Sequence, residues 1–306
     1  MEGKKMSEES KRIRTEWKIS DAKRDEGLTE PADVVQYKNL PYGEDPIWNL
    51  LDVYRPVSGK GRELPVIVVV HGGGWVYGDK ELYRFYAMSL AQRGFAVVCC
   101  NYRLAPEHPF PAQLEDLCCV MHWIYEHAEE YGMNLLHLCL AGDSAGGNLA
   151  GLLCALKTDP AYAAEFSFFL PENFRIAAVG MNCGDYSLFT EDGAPRETTT
   201  AALAEDLLPG VHGQKKLQQR IDVLAHVNKD FPPAYITTAV GDFLIDQAGM
   251  LQEAYRKAGA YCECREYGSG EHPLYHVFHV DMKNETGTLC NDEECGFFRR
   301  MFRERA

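Results

Sequence analysis

The pentapeptide Gly142-Asp143-Ser144-Ala145-Gly146 sets a serine between an apolar run and an amphipathic one. A hydroxyl raised on such a strand-to-helix turn can act as a nucleophile. The turn demands strained backbone angles at the serine, and glycine two residues to either side removes the side chains that would clash. The helix that follows would point its N-terminus at a reacting carbonyl, where its dipole favours negative charge. As a bare string G-x-S-x-G is common. The strand–turn–helix setting is what favours a nucleophile over an ordinary turn.

A second constellation, His71-Gly72-Gly73-Gly74-Trp75, comes directly after the apolar run Leu64 to Val70. Consecutive glycines let backbone N–H groups turn inward and approach a substrate oxygen, as the oxyanion of an acyl-transfer intermediate requires. The expected donors are the amides of Gly73, Gly74 and Ala145; losing one donor of this kind costs about 3 kcal/mol of transition-state stabilisation. A phosphate-binding loop would carry G-x-x-x-x-G-K-S/T or G-x-G-x-x-G, and this loop has neither. His71 lies too early in the chain for the Ser…Asp…His order of such sites and is expected to brace the loop.

Serine is a poor nucleophile at neutral pH. It needs a base, and the base needs a carboxylate to fix its tautomer. The segment AYITTAVG-Asp242-FLI-Asp246 offers two acids. Asp242 comes off the strand end, where it can face the site, whereas Asp246 suits the first turn of the following helix. For the base, GSGEHPLYHVFHV contains His272, His276 and His279. Position alone does not separate the first two, and His279 is expected inside the helix that follows.

These groups need a scaffold, and its strands read as apolar runs. They are LDVYRP from Leu50, then Leu64 to Val70, Phe95 to Arg103, Leu135 to Gly142, Arg175 to Cys183, Ala234 to Gly241 and Cys262 to Tyr267. Helical periodicity fills Glu81 to Arg93, Gln113 to Tyr131, Asn148 to Leu156 and Gln247 to Gly259. Continuous β-branched runs such as LPVIVVV suit parallel strands covered on both faces, so the alternation predicts an α/β fold. Two segments stand outside the rhythm: residues 1 to about 40, ahead of the sheet, and 186 to 228, whose polar helical sequence suggests a lid.

The chain has 306 residues, 46% of them hydrophobic, enough for one large core. A formal net charge of −14 argues against nucleic acid or an anionic membrane as the main partner, because both repel a polyanion. The charged N-terminus offers no signal-peptide core, and no apolar stretch is long enough to span a bilayer. Eleven cysteines, several in apolar runs (Cys99, Cys100, Cys118, Cys119, Cys139, Cys154), fit a reducing compartment, and cytoplasm is the expected location. Cys262 and Cys264 would share one strand face, but neither they nor Cys290 with Cys295 match a zinc pattern. No metal or organic cofactor is expected. An exposed edge strand would allow a homodimer.

Together HGGGW (71–75), NYRLAPEHPFP (101–111), GDSAGGNLA (142–150), DFLID (242–246) and HVFH (276–279) resemble the hormone-sensitive-lipase-like family of α/β-hydrolase carboxylesterases, in the family's order from about residue 50 onward. The resemblance implies a mostly parallel eight-stranded sheet flanked by helices, with a helical cap built from an N-terminal segment (1–45) and an insertion (186–228) on a catalytic domain spanning 46–306. Carried over by residue, it implies Ser144 as nucleophile, Asp242 as acid, His276 as base, and Gly73, Gly74 and Ala145 as oxyanion donors. It also suggests that Arg103 and Glu107 belong to a buried polar network. Phe243 departs from the usual proline of the acid motif, and Val277 from a frequent glycine after the base. The implied activity is hydrolysis of small or short-chain acyl esters. The alternatives are an amidase or peptidase using the same triad, and a non-catalytic small-molecule-binding protein on the same fold.

Overall fold

A computed structural model describes residues 6–304. Residues 1–5 of the expected N-terminal segment, and 305–306, lie outside the described residues. The strands are β1 (Val34–Pro41), β2 (Leu50–Pro56), β3 (Leu64–Val70), β4 (Ala96–Cys100), β5 (Met133–Asp143), β6 (Ala178–Asn182), β7 (Ala234–Ala239) and β8 (Cys262–Tyr267). They form one eight-stranded sheet in the order β1-β2-β4-β3-β5-β6-β7-β8. Strand β2 runs antiparallel to both β1 and β4, and every other pairing is parallel.

The helices are α1 (Glu8–Asp25), α2 (Arg84–Gln92), α3 (Ala112–His127), α4 (Ala145–Thr158), α5 (Pro160–Ala163), α6 (Thr198–Leu207), α7 (Lys215–Gln219), α8 (Ile245–Ala258) and α9 (Glu285–Glu304). Strand β3 shows why its sequence is apolar throughout. Val66, Val68 and Val70 pack with α3, α4 and α8 on one side, while Ile67 and Val69 pack with α2 and α9 on the other. A central strand with helices on both faces has no solvent side to make polar. Helix α8 stops at Gly259, whose φ of 73° is the left-handed closure that glycine adopts without a Cβ clash. Among the described residues, no helix is long and apolar enough to cross a membrane.

Three expectations change. The sheet begins earlier than the sequence suggested, because Val34–Pro41 pairs with β2 as an edge strand and so leaves the N-terminal segment. Its residues alternate poorly and are mostly exposed, as an edge strand tolerates. His279 sits in a single 3-10 turn, Phe278–Val280, ahead of α9 and not inside a helix. Cys119, placed by its apolar neighbours in the interior, is exposed on α3.

Candidate active site

Ser144 joins β5 to α4 with φ 51° and ψ −123°, a left-handed conformation rare for any side chain but glycine. The turn is tight on both sides. A Cβ on Gly142 would lie 2.3 Å from the Gly146 carbonyl oxygen, and one on Gly146 would lie 2.1 Å from that of Val70. The Ser144 N–H donates to Asn182 O across the sheet at 3.0 Å, which fixes the turn against the end of β6.

His276 reaches Ser144 from the loop after β8. Its Nε2 lies 3.0 Å from Ser144 Oγ, and its Nδ1 lies 2.9 Å from Asp242 Oδ1. Asp242 is buried just beyond β7, and the same Oδ1 accepts the Leu244 N–H at 2.8 Å. Burial alone would push this carboxyl up. The hydrogen bond and charge of His276, with the Leu244 amide, outweigh it and hold the group below the usual carboxylate range. An ionised carboxylate can only accept, so Nδ1 carries the imidazole proton and Nε2 offers its lone pair to the serine hydroxyl. The arrangement can therefore take a proton from Ser144 as the oxygen attacks, and hold the resulting imidazolium.

The glycine loop lies against this centre, since a Cβ on Gly72 would meet Ser144 Cβ at 3.1 Å. Gly73, at φ 117°, could not carry a side chain; its Cβ would lie 2.0 Å from Tyr77 O. No backbone carbonyl of the described residues accepts from the amides of Gly73 or Gly74. Ala145 is the first residue of α4, so its amide has no partner within the helix. His71 braces the loop as expected. It donates from Nδ1 to Gly72 O at 2.7 Å, stacks on Tyr102 at 4.1 Å, and is held neutral by burial, with its pKa lowered to about 4.

The sequence reading missed a strut behind the loop. The Gly72 N–H donates to Tyr83 Oη at 2.9 Å, and the Tyr83 hydroxyl donates to Asp143 Oδ2 at 2.7 Å. Glycine loop and serine turn are thus fastened through one phenol. Burial raises the Asp143 carboxyl to about 6, against the Tyr83 hydrogen bond. Asp143, beside the serine in the pentapeptide, was the available signal.

The other candidates fall away from the centre. His272 is exposed on the approach to His276, His279 is buried with neither ring nitrogen bonded, and Asp246 is exposed in the first turn of α8. Arg103 pairs with Asp116 and Glu115, but Glu107 does not join it. Instead the exposed Glu107 binds Arg14 of α1 at 2.7 Å, and Arg14 also donates to the carbonyls of Val76 and Ala105. At the other end of this docking, Asp206 of α6 accepts from the hydroxyls of Ser7 and Ser10, both at 2.6 Å.

A cavity of about 280 Å³ opens onto Ser144 and His276. Trp17, Asp21 and Arg24 of α1 wall one side, and Tyr77, Phe243 and Val277 line it as well. The ring of Phe243 lies 4.4 Å from that of His276. Val277 takes φ 52°, the left-handed conformation its position demands although the residue is β-branched.

The sequence model of the BD-FAE family matches residues 51–253. The chain belongs to the BD-FAE family. That match takes in Ser144 and Asp242 and stops short of His276. Curated relatives include the carboxylic ester hydrolase LipN of Mycobacterium tuberculosis, 31% identical over 81% of this chain and 65% of LipN. The carboxylesterase NlhH of the same organism is 35% identical over 65% of this chain and 63% of its own length. The BD-FAE chain thus spans less than two thirds of either relative. These relatives bear out the hormonesensitive-lipase-like resemblance carried by the motifs. Among solved structures, an inhibited esterase B from Lactobacillus rhamnosis superposes with a TM-score of 0.88 at 24% identity, covering 98% of each chain. An esterase from Pyrobaculum calidifontis gives 0.75 at 24% identity, covering 95% of this chain and 93% of its own. The fold is that of the α/β-hydrolases.

Proposed function

We propose that this chain is a serine carboxylesterase that hydrolyses small or short-chain acyl esters through Ser144, His276 and Asp242. The observation that carries the reading is the unbroken hydrogen-bonded line from Ser144 Oγ through the imidazole to Asp242 Oδ1. The curated relatives named as ester hydrolases support the same reaction class. His276 takes the proton as Ser144 attacks the ester carbonyl, and Asp242 stabilises the imidazolium. The oxyanion rests on the amides of Gly73, Gly74 and Ala145. The alcohol leaves with the proton from His276, and water repeats the sequence on the acyl-enzyme.

The cavity of about 280 Å³ supports small substrates, because pockets for drug-sized ligands run from about 300 to 1,000 Å³. Helix α1 and the segment carrying α6 act as the cap. The free, mostly buried cysteines support a reducing compartment, hence the cytoplasm.

The test is Ser144→Ala with a p-nitrophenyl ester series of increasing acyl length. Wild type is expected to prefer the shortest chains and to be labelled by a fluorophosphonate; the variant should do neither. Turnover retained by folded Ser144→Ala would remove the mechanism. A matched ester and amide pair separates an esterase from an amidase, and an unlabelled wild type would favour a binding protein.

A further inference from the structure

Beneath the catalytic line lies a thiol that neither carries the proton nor meets the substrate, though it helps hold Asp242 ionised. Cys183 directly follows β6, is buried, and holds φ 47°. Its Sγ, a carboxylate oxygen of Asp242 and a ring nitrogen of His276 all lie within 4.8 Å of one another. Asp242 Oδ1 is occupied by His276 and Leu244, whereas Oδ2 is buried without a hydrogen-bond partner. A thiol, an imidazole and an unsatisfied carboxylate oxygen therefore converge in one place. Residues 183, 242 and 276 come from three separate loops, which is why no sequence spacing revealed them.

Thiolate, imidazole and carboxylate are the donors that zinc takes, at about 2.3, 2.0–2.1 and 2.0–2.2 Å. Around a tetrahedral ion such donors sit roughly 3.3–3.7 Å apart. Side-chain movements of about 1 Å would draw the three onto one cation, and water could take the fourth position.

We propose that Cys183, Asp242 and His276 form an inhibitory site for a thiophilic divalent cation, with zinc as the ligand. Binding breaks the Cys183 S–H bond and releases that proton to solvent, and the thiolate, Asp242 and His276 Nδ1 become ligands. The imidazole proton moves from Nδ1 to Nε2, and no electrons are transferred. With Nε2 protonated, His276 has no lone pair for Ser144 and hydrolysis stops. The inhibition rests on the proposed catalytic line; the binding itself does not.

Two measurements decide it, both under anaerobic conditions so that thiol oxidation plays no part. First, Zn²⁺ is titrated into the ester assay. Wild type should be inhibited and a chelator should restore it, while Cys183→Ser and Cys183→Ala should need about 100-fold more zinc. Inhibition is read for each variant against its own zinc-free kcat/KM. Second, Co²⁺ is titrated into wild type and into Ser144→Ala, and thiolate-to-cobalt absorption is recorded. The band should appear in both proteins and vanish in Cys183→Ala. No band in wild type, or a Cys183→Ala enzyme as zinc-sensitive as wild type, would overturn the site. The cobalt spectrum needs no turnover, so it stands apart from any failure of the esterase reading.

Discussion

Asp242→Asn probes the catalytic line more finely than deletion of any group. An asparagine could in principle turn its NH₂ toward His276, hold the imidazole in the wrong tautomer, and lose about 10⁴ in kcat. Here the Leu244 N–H donates to Oδ1, the oxygen that also faces His276 Nδ1. An amide oxygen must stay at that position to accept both bonds, and the NH₂ then takes the place of the unpartnered Oδ2. The Nδ1–H tautomer survives and only the charge is lost. A unit charge about 4 Å from an imidazolium is worth about 4 kcal/mol at an effective dielectric constant near 20. The expected loss in kcat is therefore about 10³ and no more. Stopped-flow measurement of acyl-enzyme formation gives the rate, and imidazole ¹⁵N chemical shifts give the tautomer. A loss of 10⁴ or more with the proton on Nε2 would refute the role given to Leu244.

Gly73→Ala forces a Cβ to within 2.0 Å of Tyr77 O and should displace the glycine loop, lowering kcat by about 10²–10³ and the melting temperature with it. A near-normal kcat in a folded variant would take Gly73 out of the oxyanion hole. Asp206→Ala strips the acceptor from Ser7 and Ser10, so α1 should become sensitive to limited proteolysis and KM should rise more than kcat falls; an unchanged proteolytic pattern would show that the remaining contacts of α1 hold the helix without Asp206. Glu294, raised by burial to about 7, is expected to weaken the fold once the unfolded chain's carboxyl ionises ahead of it: the penalty is absent well below pH 4.5, grows between pH 4.5 and 7, and levels off at about 3 kcal/mol above that. Glu294→Gln should thus stabilise the protein against urea at pH 8.5 and lose that advantage by pH 4.5, and equal stability of the two proteins at pH 8.5 would contradict the assigned burial cost.

The sheet was legible where its strands are covered on both faces. Strand β3 begins and ends where its residue pattern does, and with five successive β-branched residues it could hardly be anything else. Strand β1 was not legible, because an exposed antiparallel edge needs neither alternation nor an apolar run. The turn at Ser144 and the glycine loop were readable because their backbones admit few residue types. The proposed base was not separable by position, since His272 and His276 lie on one loop and only the tertiary approach of β7 brings Asp242 to the second. That α1 helps cap the cavity followed from the family resemblance and not from its own residue pattern. Of its residues only Ser10 and Ile13 are buried, so it is held by polar contacts that leave no periodic signature. Val277 keeps a glycine-like backbone with a branched side chain, a departure the sequence showed but whose conformation only the fold disclosed.

The way α1 is attached separates chemistry from selectivity. The proposed reacting groups hang from the sheet and its loops, whereas Trp17, Asp21 and Arg24 ride on a helix fastened along its length, by Ser7 with Ser10 to Asp206, Arg14 to Glu107, Asp21 to Tyr77 and Arg24 to Leu82 O. Helices from other proteins that keep serines at 7 and 10, the buried Ile13 and arginine at 14 could be grafted onto this body with little change to its core. Such chimeras would share one engine and differ in what they admit, so new substrate ranges could be reached by exchanging some twenty residues at the front of the chain.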